Sequence, residues 1–287
     1  MAARFLKLTL TALLILHGLI VAAAAMEVVH FKSAAPPAAG QSSGSAIWGH
    51  LKLPDGPGPF PAVVLMHGCG GILEAHIRWA SELNAAGFAT LIVDSFRPRS
   101  ILNVCKGDTT STGYSQRAFD AHGALAYLQA RPDIEPDNIG VIGWSHGATA
   151  ALEAVSEGVA ISRLETSFSA AIAFYPYCLS DRNISSPTII LIGENDDWTP
   201  PEPCEDLADR NRSNGSTGSV EVITYPAVYH SFDKPEVSDG FFVEGPLGIR
   251  HLMKYDRQAH DDSIRRVKAF LSQHVLSKSS SPISGSE

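Results

Sequence analysis

The 287-residue sequence holds three side chains whose types and order suit acyl transfer. Ser145 lies between Gly143 and Gly147 in "VIGWSHGATA" (141–150). A serine hydroxyl is a weak nucleophile until a base takes its proton, and the base acts best when an acid orients it. Acids that follow the serine cluster in "GENDDWTP" (193–200). Asp196 is the expected orienting acid, placed before Thr199-Pro200 turns the chain, with Asp197 as the next choice. "VEVITYPAVYHSFD" then supplies His230 as the base. His251, His260 and His274 compete by position alone; the last two fall on a stretch with helical periodicity, and His251 follows no evident strand. Holding an oxyanion takes two backbone N–H groups. These are expected from His146, directly after the serine, and from Cys69 in "HGCGG" (67–71), a loop that His67 would support. A nucleophilic Cys69 thiol is the competing reading of that loop.

Such groups meet only if the chain between them folds in a particular way. "PAVVLMHG" (61–68), "FATLIVDS" (88–95), "NIGVIGW" (138–144), "SAAIAFYP" (169–176) and "PTIILIGE" (187–194) are short apolar runs bounded by Pro, Gly, Asn or Asp. Runs of this kind suit strands buried on both faces of a parallel sheet. "ILEAHIRWASELNAAG" (72–87), "SQRAFDAHGALAYLQA" (115–130) and "DDSIRRVKAFLSQHVL" (261–276) repeat apolar residues at three and four positions, as helices do. Alternation of the two implies right-handed crossovers and a doubly wound α/β sheet with helices on both faces. "SAIWGHLKLP" (45–54) reads as an early edge strand and "SVEVITYP" (219–226) as the last strand. Ser145 then sits on a strand-to-helix turn, the setting in which G-x-S-x-G forms a nucleophile elbow. The long connection 234–256, with Phe241, Phe242 and Leu247, is expected to form a flap over the site.

Residues 1–25 carry Arg4 and Lys7, an apolar run from Leu8 to Val21 and small residues to Ala25, the layout of a signal peptide; an uncleaved anchor is the other reading. Removing them moves the formal charge from -8 to -10, which disfavours nucleic acid and anionic membrane surfaces as partners. Residues 26–45, rich in Ser, Ala, Gly and Pro from 33 onward, read as a flexible arm; residues 46–276 form the domain, and 277–287 a disordered tail. Cys69, Cys105, Cys178 and Cys204 show no C-x-x-C spacing, so a metal site is not expected, and export would permit disulfides. Of three possible pairings, Cys178 with Cys204 and Cys69 with Cys105 are expected. All four lie at the carboxyl ends of strands, where each bridge would staple an active-site loop.

"HGCGG", "DSFRPRS", "GWSHG", "FYPYC", "GENDDWTP" and "YHSFD", in this order and spacing, resemble the dienelactone hydrolase family of α/β hydrolases over roughly residues 46–276. The resemblance implies an α/β-hydrolase fold, a triad at Ser145, Asp196 and His230, ester or lactone hydrolysis of a small-molecule substrate, and no metal or organic cofactor. The chain departs from the family's namesake in two places. Ser145 stands where the namesake has cysteine, and "HGCGG" has no counterpart of its glutamate near the oxyanion loop. Arg97 and Arg99 are expected to bind a substrate carboxylate, and Trp144, Tyr175, Tyr177 and Trp198 to wall the pocket. A peptidase or amidase on the same triad, or a non-catalytic binding protein that keeps the fold, are the other functions this reading leaves open.

Overall fold

Continuous apolar runs cannot leave a face to water, so they become inner strands covered on both sides. The computed structural model describes residues 26–34, 44–107, 113–157, 164, 166–179 and 181–276, and the strands β4 (Ala89–Asp94), β6 (Ala171–Phe174) and β7 (Thr188–Gly193) are buried along their whole length. With β1 (Glu27–Lys32), β2 (Ala46–Lys52), β3 (Phe60–Met66), β5 (Ile134–Trp144) and β8 (Val220–Tyr225), they form an eight-stranded sheet of order β1-β2-β4-β3-β5-β6-β7-β8. The six strands β3 to β8 run parallel, and β1 and β2 join antiparallel at one edge. This is the expected α/β sheet, built around an apolar core that includes Val64, Ile92, Ile142 and Leu191.

Among the described residues five α-helices cover it: α1 (Glu74–Ala85), α2 (Tyr114–Gln129), α3 (His146–Ala154), α4 (Glu202–Ser213) and α5 (Arg257–Leu271). Side chains alternate along β5, and this assigns the helices to faces. Trp144 meets Trp79 of α1, and the Cα of Gly140 faces Leu271 at the end of α5, whereas Gly143 faces the first turn of α3. Lys268 of α5 pairs with Glu82 of α1 on the same side. No helix among the described residues is long and apolar enough to cross a membrane.

Two expectations need correction. Glu27–Lys32, assigned to a flexible arm, is the edge strand β1; Val29 and Phe31 are buried by turns and its register with β2 runs from Glu27 opposite Leu51 to Lys32 opposite Ala46. The alternation "VVHF" is short and one-sided, as an edge strand requires, and the Pro- and Ser-rich stretch beside it masked that signal. The strand over Ala46–Lys52 therefore lies second from the edge, and the sheet includes residues 27–32. Residues 1–25, 35–43 and 277–287, read as signal peptide, arm and tail, lie outside the described residues.

The connection 234–256 contains a two-stranded antiparallel hairpin, β9 (Phe241–Glu244) and β10 (Arg250–Met253). A bridge between Met253 and His230, and a hydrogen bond from the Lys254 amide to the His230 carbonyl at 3.0 Å, tie the hairpin to the loop after β8.

Both expected disulfides are present, Cys69–Cys105 and Cys178–Cys204. The second joins the loop after β6 to the first turn of α4, on either side of the loop that carries Asp196. A cross-link closing 26 residues restricts the unfolded chain. Replacing both Cys178 and Cys204 by alanine is expected to cost about 3 kcal/mol, seen as a melting temperature lower by roughly 6–12 °C. A loss of less than about 2 °C in a thermal melt would show that the bridge braces nothing.

Candidate active site

Ser145 adopts φ 53° and ψ -119°, outside the regions ordinary residues prefer. The turn is held by close backbone approach on both sides. A Cβ on Gly143 would lie 2.1 Å from the Gly147 carbonyl oxygen, and one on Gly147 would lie 2.1 Å from that of Met66 at the end of β3. Glycine is the residue that fits both positions. The Ser145 amide donates to the Phe174 carbonyl at 2.9 Å, and its carbonyl accepts from the amides of Ala148 and Thr149, which starts α3 directly after the serine.

His230, in the loop after β8, places Nε2 3.1 Å from Ser145 Oγ and Nδ1 2.7 Å from Asp196 Oδ2. Asp196 is buried and its Oδ1 accepts from the amides of Trp198 and Thr199 at 3.0 and 2.9 Å, while the Thr199 hydroxyl donates to Oδ2 at 2.9 Å. A carboxylate ringed by donors accepts from all of them, which sets the His230 proton on Nδ1 and leaves Nε2 free to accept from the serine. Asp197 is instead exposed and lies 3.4 Å from His251 Nδ1 in β10. The Trp198 ring lies between the two histidines, stacked on His251 at 4.9 Å and tilted against His230 at 5.2 Å. His260 and His274 lie in or beyond α5, away from the serine.

The loop after β3 passes against the elbow: a Cβ on Gly68 would lie 3.8 Å from Ser145 Cβ. Among the described residues the main-chain amides of Cys69 and His146 take no hydrogen-bond acceptor. Cys69 is fixed by its disulfide and by the Val104 amide, which donates to its carbonyl at 2.9 Å. The thiol reading of Cys69 ends there, since a disulfide sulfur carries no thiolate.

Beneath this loop Arg117 of α2 is fully buried, donating to the His67 carbonyl at 2.5 Å and to His146 Nδ1 at 2.8 Å. Burial pulls its pKa down to about 10, which leaves it a cation at neutral pH. Burial, and then Arg117 itself, hold His67 well below its ordinary value and His146 at about 3; burial and Lys234 hold His76 at about 3. On the other face of the sheet the buried Asp233 accepts from the indole N–H groups of Trp79 and Trp144, each at 2.8 Å, and from the Tyr175 hydroxyl at 2.6 Å. Lys234 beside it is buried, with Nζ 3.2 Å from Ser231 Oγ and 5.8 Å from the Tyr175 ring centre; burial lowers its pKa, which Asp233 and Glu236 partly restore.

A cavity of about 480 Å³ opens beside Ser145 and a second of about 310 Å³ adjoins it. Trp198 borders both and Tyr177 the second. The expectations for four other residues are corrected. Trp144 and Tyr175 belong to the core, because their polar ends are used by Asp233. Arg99 is locked bidentately onto Asp120, with both contacts at 2.8 Å, and Arg97 projects into solvent; among the described residues neither lines these two cavities. Lys234 is the basic side chain that lines the larger one. The sequence reading missed it, along with Arg117, Asp233 and the second role of Thr199. Arg117 and Asp120 three residues apart on an otherwise apolar stripe of α2 were the available signal for the first.

The model of the dienelactone hydrolase family matches residues 47–275. A mouse (Mus musculus) acyl-coenzyme A amino acid N-acyltransferase 1 is 25% identical over 278 residues, covering 81% of this chain, which spans 64% of that protein. Among solved structures, a dienelactone hydrolase from Anabaena variabilis superposes with a TM-score of 0.59 at 18% identity, over 87% of this chain and 99% of its own. A thermophilic esterase from Thermogutta terrifontis, solved with propionate, gives 0.62 at 14% identity over 88% and 95%. At these identities the two structures speak for the fold.

The buried histidines make stability depend on pH. An unfolded histidine titrates near 6.5, whereas His76 and His146 stay neutral in the folded chain down to about 3. Between these values the unfolded chain binds protons that the folded one refuses, so stability is full above about pH 6.5 and is lost as pH falls toward 3. Thermal melts are expected to show a melting temperature that declines across this window, with a shallower slope for His146→Gln. A melting temperature independent of pH from about 7 to about 4 would contradict the assignment.

Proposed function

The chain belongs to the dienelactone hydrolase family, and from that premise we propose that it is a serine hydrolase acting on carboxyl ester or lactone bonds. The observation that carries the reading is the hydrogen-bonded series Asp196–His230–Ser145, at 2.7 and 3.1 Å. Ser145 Oγ attacks the substrate carbonyl carbon as its proton passes to His230 Nε2. Negative charge gathers on the carbonyl oxygen, where the amides of Cys69 and His146, the latter at the N-terminus of α3, offer two donors. As the carbon–oxygen bond breaks, His230 returns the proton to the leaving alcohol and an acyl group remains on Ser145. Water then repeats the sequence: its proton goes to His230 as its oxygen bonds the acyl carbon, and His230 returns that proton to Ser145 Oγ as the bond to the acyl group breaks and the acid is released. Asp196, held by three further donors, keeps the imidazole in the required tautomer and offsets its charge when it is protonated.

Serine serves this chemistry without a depressed pKa, since the neighbouring base removes its proton during attack. Export is part of the proposal: two disulfides bracing the active-site loops suit an oxidising compartment, as does the signal-like layout of residues 1–25.

Ser145→Ala is expected to lower kcat for a p-nitrophenyl ester by about 10⁴-fold or more, with an unchanged melting temperature. Turnover within about tenfold of the parent would end the proposal. Asp196→Asn is expected to lower kcat by about 10⁴-fold with KM little changed, because it disturbs the tautomer rather than substrate contacts.

A further inference from the structure

Ser145 stands between two recesses. The larger is lined mainly by apolar side chains, among them Leu73, Phe241 and Met253, with Glu74, Lys234 and Glu236 also on its lining. The smaller is lined by the rings of Tyr114, Tyr177, Trp198 and His251, with Leu247 and Ile249 at the hairpin side. Four residues border both: Cys69, Cys105, Ser145 and Trp198. The disulfide and the indole thus form a divide with the serine on it. The hairpin supplies a wall to each side, with Phe241 and Val243 of β9 facing the larger recess and Ile249 and His251 facing the smaller.

An ester has two arms on its carbonyl carbon, and the reaction itself assigns them. The departing oxygen must collect a proton from His230, so the alcohol arm has to lie on the histidine's side of the serine. Among the described residues His230 borders the larger recess and not the smaller one. Resting on the reading of Ser145 as the nucleophile, we infer that the larger recess receives the alcohol arm and the smaller one the acyl arm. The substrate class is then an open-chain ester of an arylcarboxylic acid with a lipophilic alcohol, rather than a compact lactone. The aliphatic walls reward burial of an alkyl chain. The rings of the smaller recess suit a flat aromatic acyl group. A lactone joins its two arms in one ring and leaves one recess empty.

The test compares kcat/KM for hexyl benzoate, methyl benzoate, hexyl acetate and δ-hexanolactone, with the parent and with Val243→Trp and Ile249→Trp. Fluorophosphonate labelling of Ser145 is measured on the same three preparations. The parent is expected to favour hexyl benzoate at least tenfold over each of the others. Val243→Trp, filling the larger recess, is expected to lower the hexyl-to-methyl ratio about tenfold, and Ile249→Trp, filling the smaller, to lower the benzoate-to-acetate ratio by a similar factor. A crossed pattern, ratios that do not move, or a parent that favours the lactone overturns the inference while labelling remains intact. A parent that fails to label at Ser145 overturns the nucleophile reading instead. Melting temperatures within about 2 °C of the parent's show that both variants are folded.

Discussion

Ser145 is held at φ 53°, ψ -119° on a turn with no room for a Cβ at the glycine on either side, and most of the remaining architecture follows from that constraint. Such a backbone costs on the order of 1–3 kcal/mol and persists only where its surroundings over-determine it. Here they do. β5 delivers the chain at the centre of the sheet, α3 leaves at once on one face, and the end of β3 presses against Gly147. The same pressure places the loop after β3 beside the serine, so the amides of Cys69 and His146 come from two segments that the elbow itself forces together. The loops after β7 and β8 need only reach inward to bring Asp196 and His230.

Two buried ions fasten this arrangement, one on each face of the sheet. Arg117 spends its donors on the His67 carbonyl and on His146, joining α2 to both segments that flank the serine. Asp233 collects Trp79, Trp144 and Tyr175, joining the loop of His230 to α1, β5 and the end of β6. Neither ion forms a simple pair: each is satisfied mainly by neutral partners of fixed geometry, which suits positioning better than net stabilisation. The three histidines close to the site are held neutral first by their own burial and then by buried cations, Arg117 for His67 and His146 and Lys234 for His76, so they do no acid–base work at neutral pH.

The parallel core and the order of Ser145, Asp196 and His230 were legible because they rest on local signals: apolar runs, a serine between glycines, and acid and histidine loops after successive strands. The disulfides were legible for a related reason, since all four cysteines lie at strand ends on one rim. What failed depends on side-chain direction. Trp144 alternates to the face away from the serine, and Arg99 finds Asp120 twenty-one residues along in α2, neither of which chain position reveals. β1 escaped notice because an edge strand buries only alternate residues. Arg117, Asp233 and Lys234 escaped it because a charge in the interior is identified by its partners, and those partners are distant in sequence.

The central claim is that Ser145, His230, Asp196 and the two amides act as one acyl-transfer centre. The most direct measurement is a crystal structure of the protein after reaction with an alkyl fluorophosphonate. The account expects phosphorus bonded to Ser145 Oγ, with the phosphoryl oxygen about 2.7–3.1 Å from the amide nitrogens of both Cys69 and His146. An adduct on another residue, or a phosphoryl oxygen turned away from both amides, would contradict it.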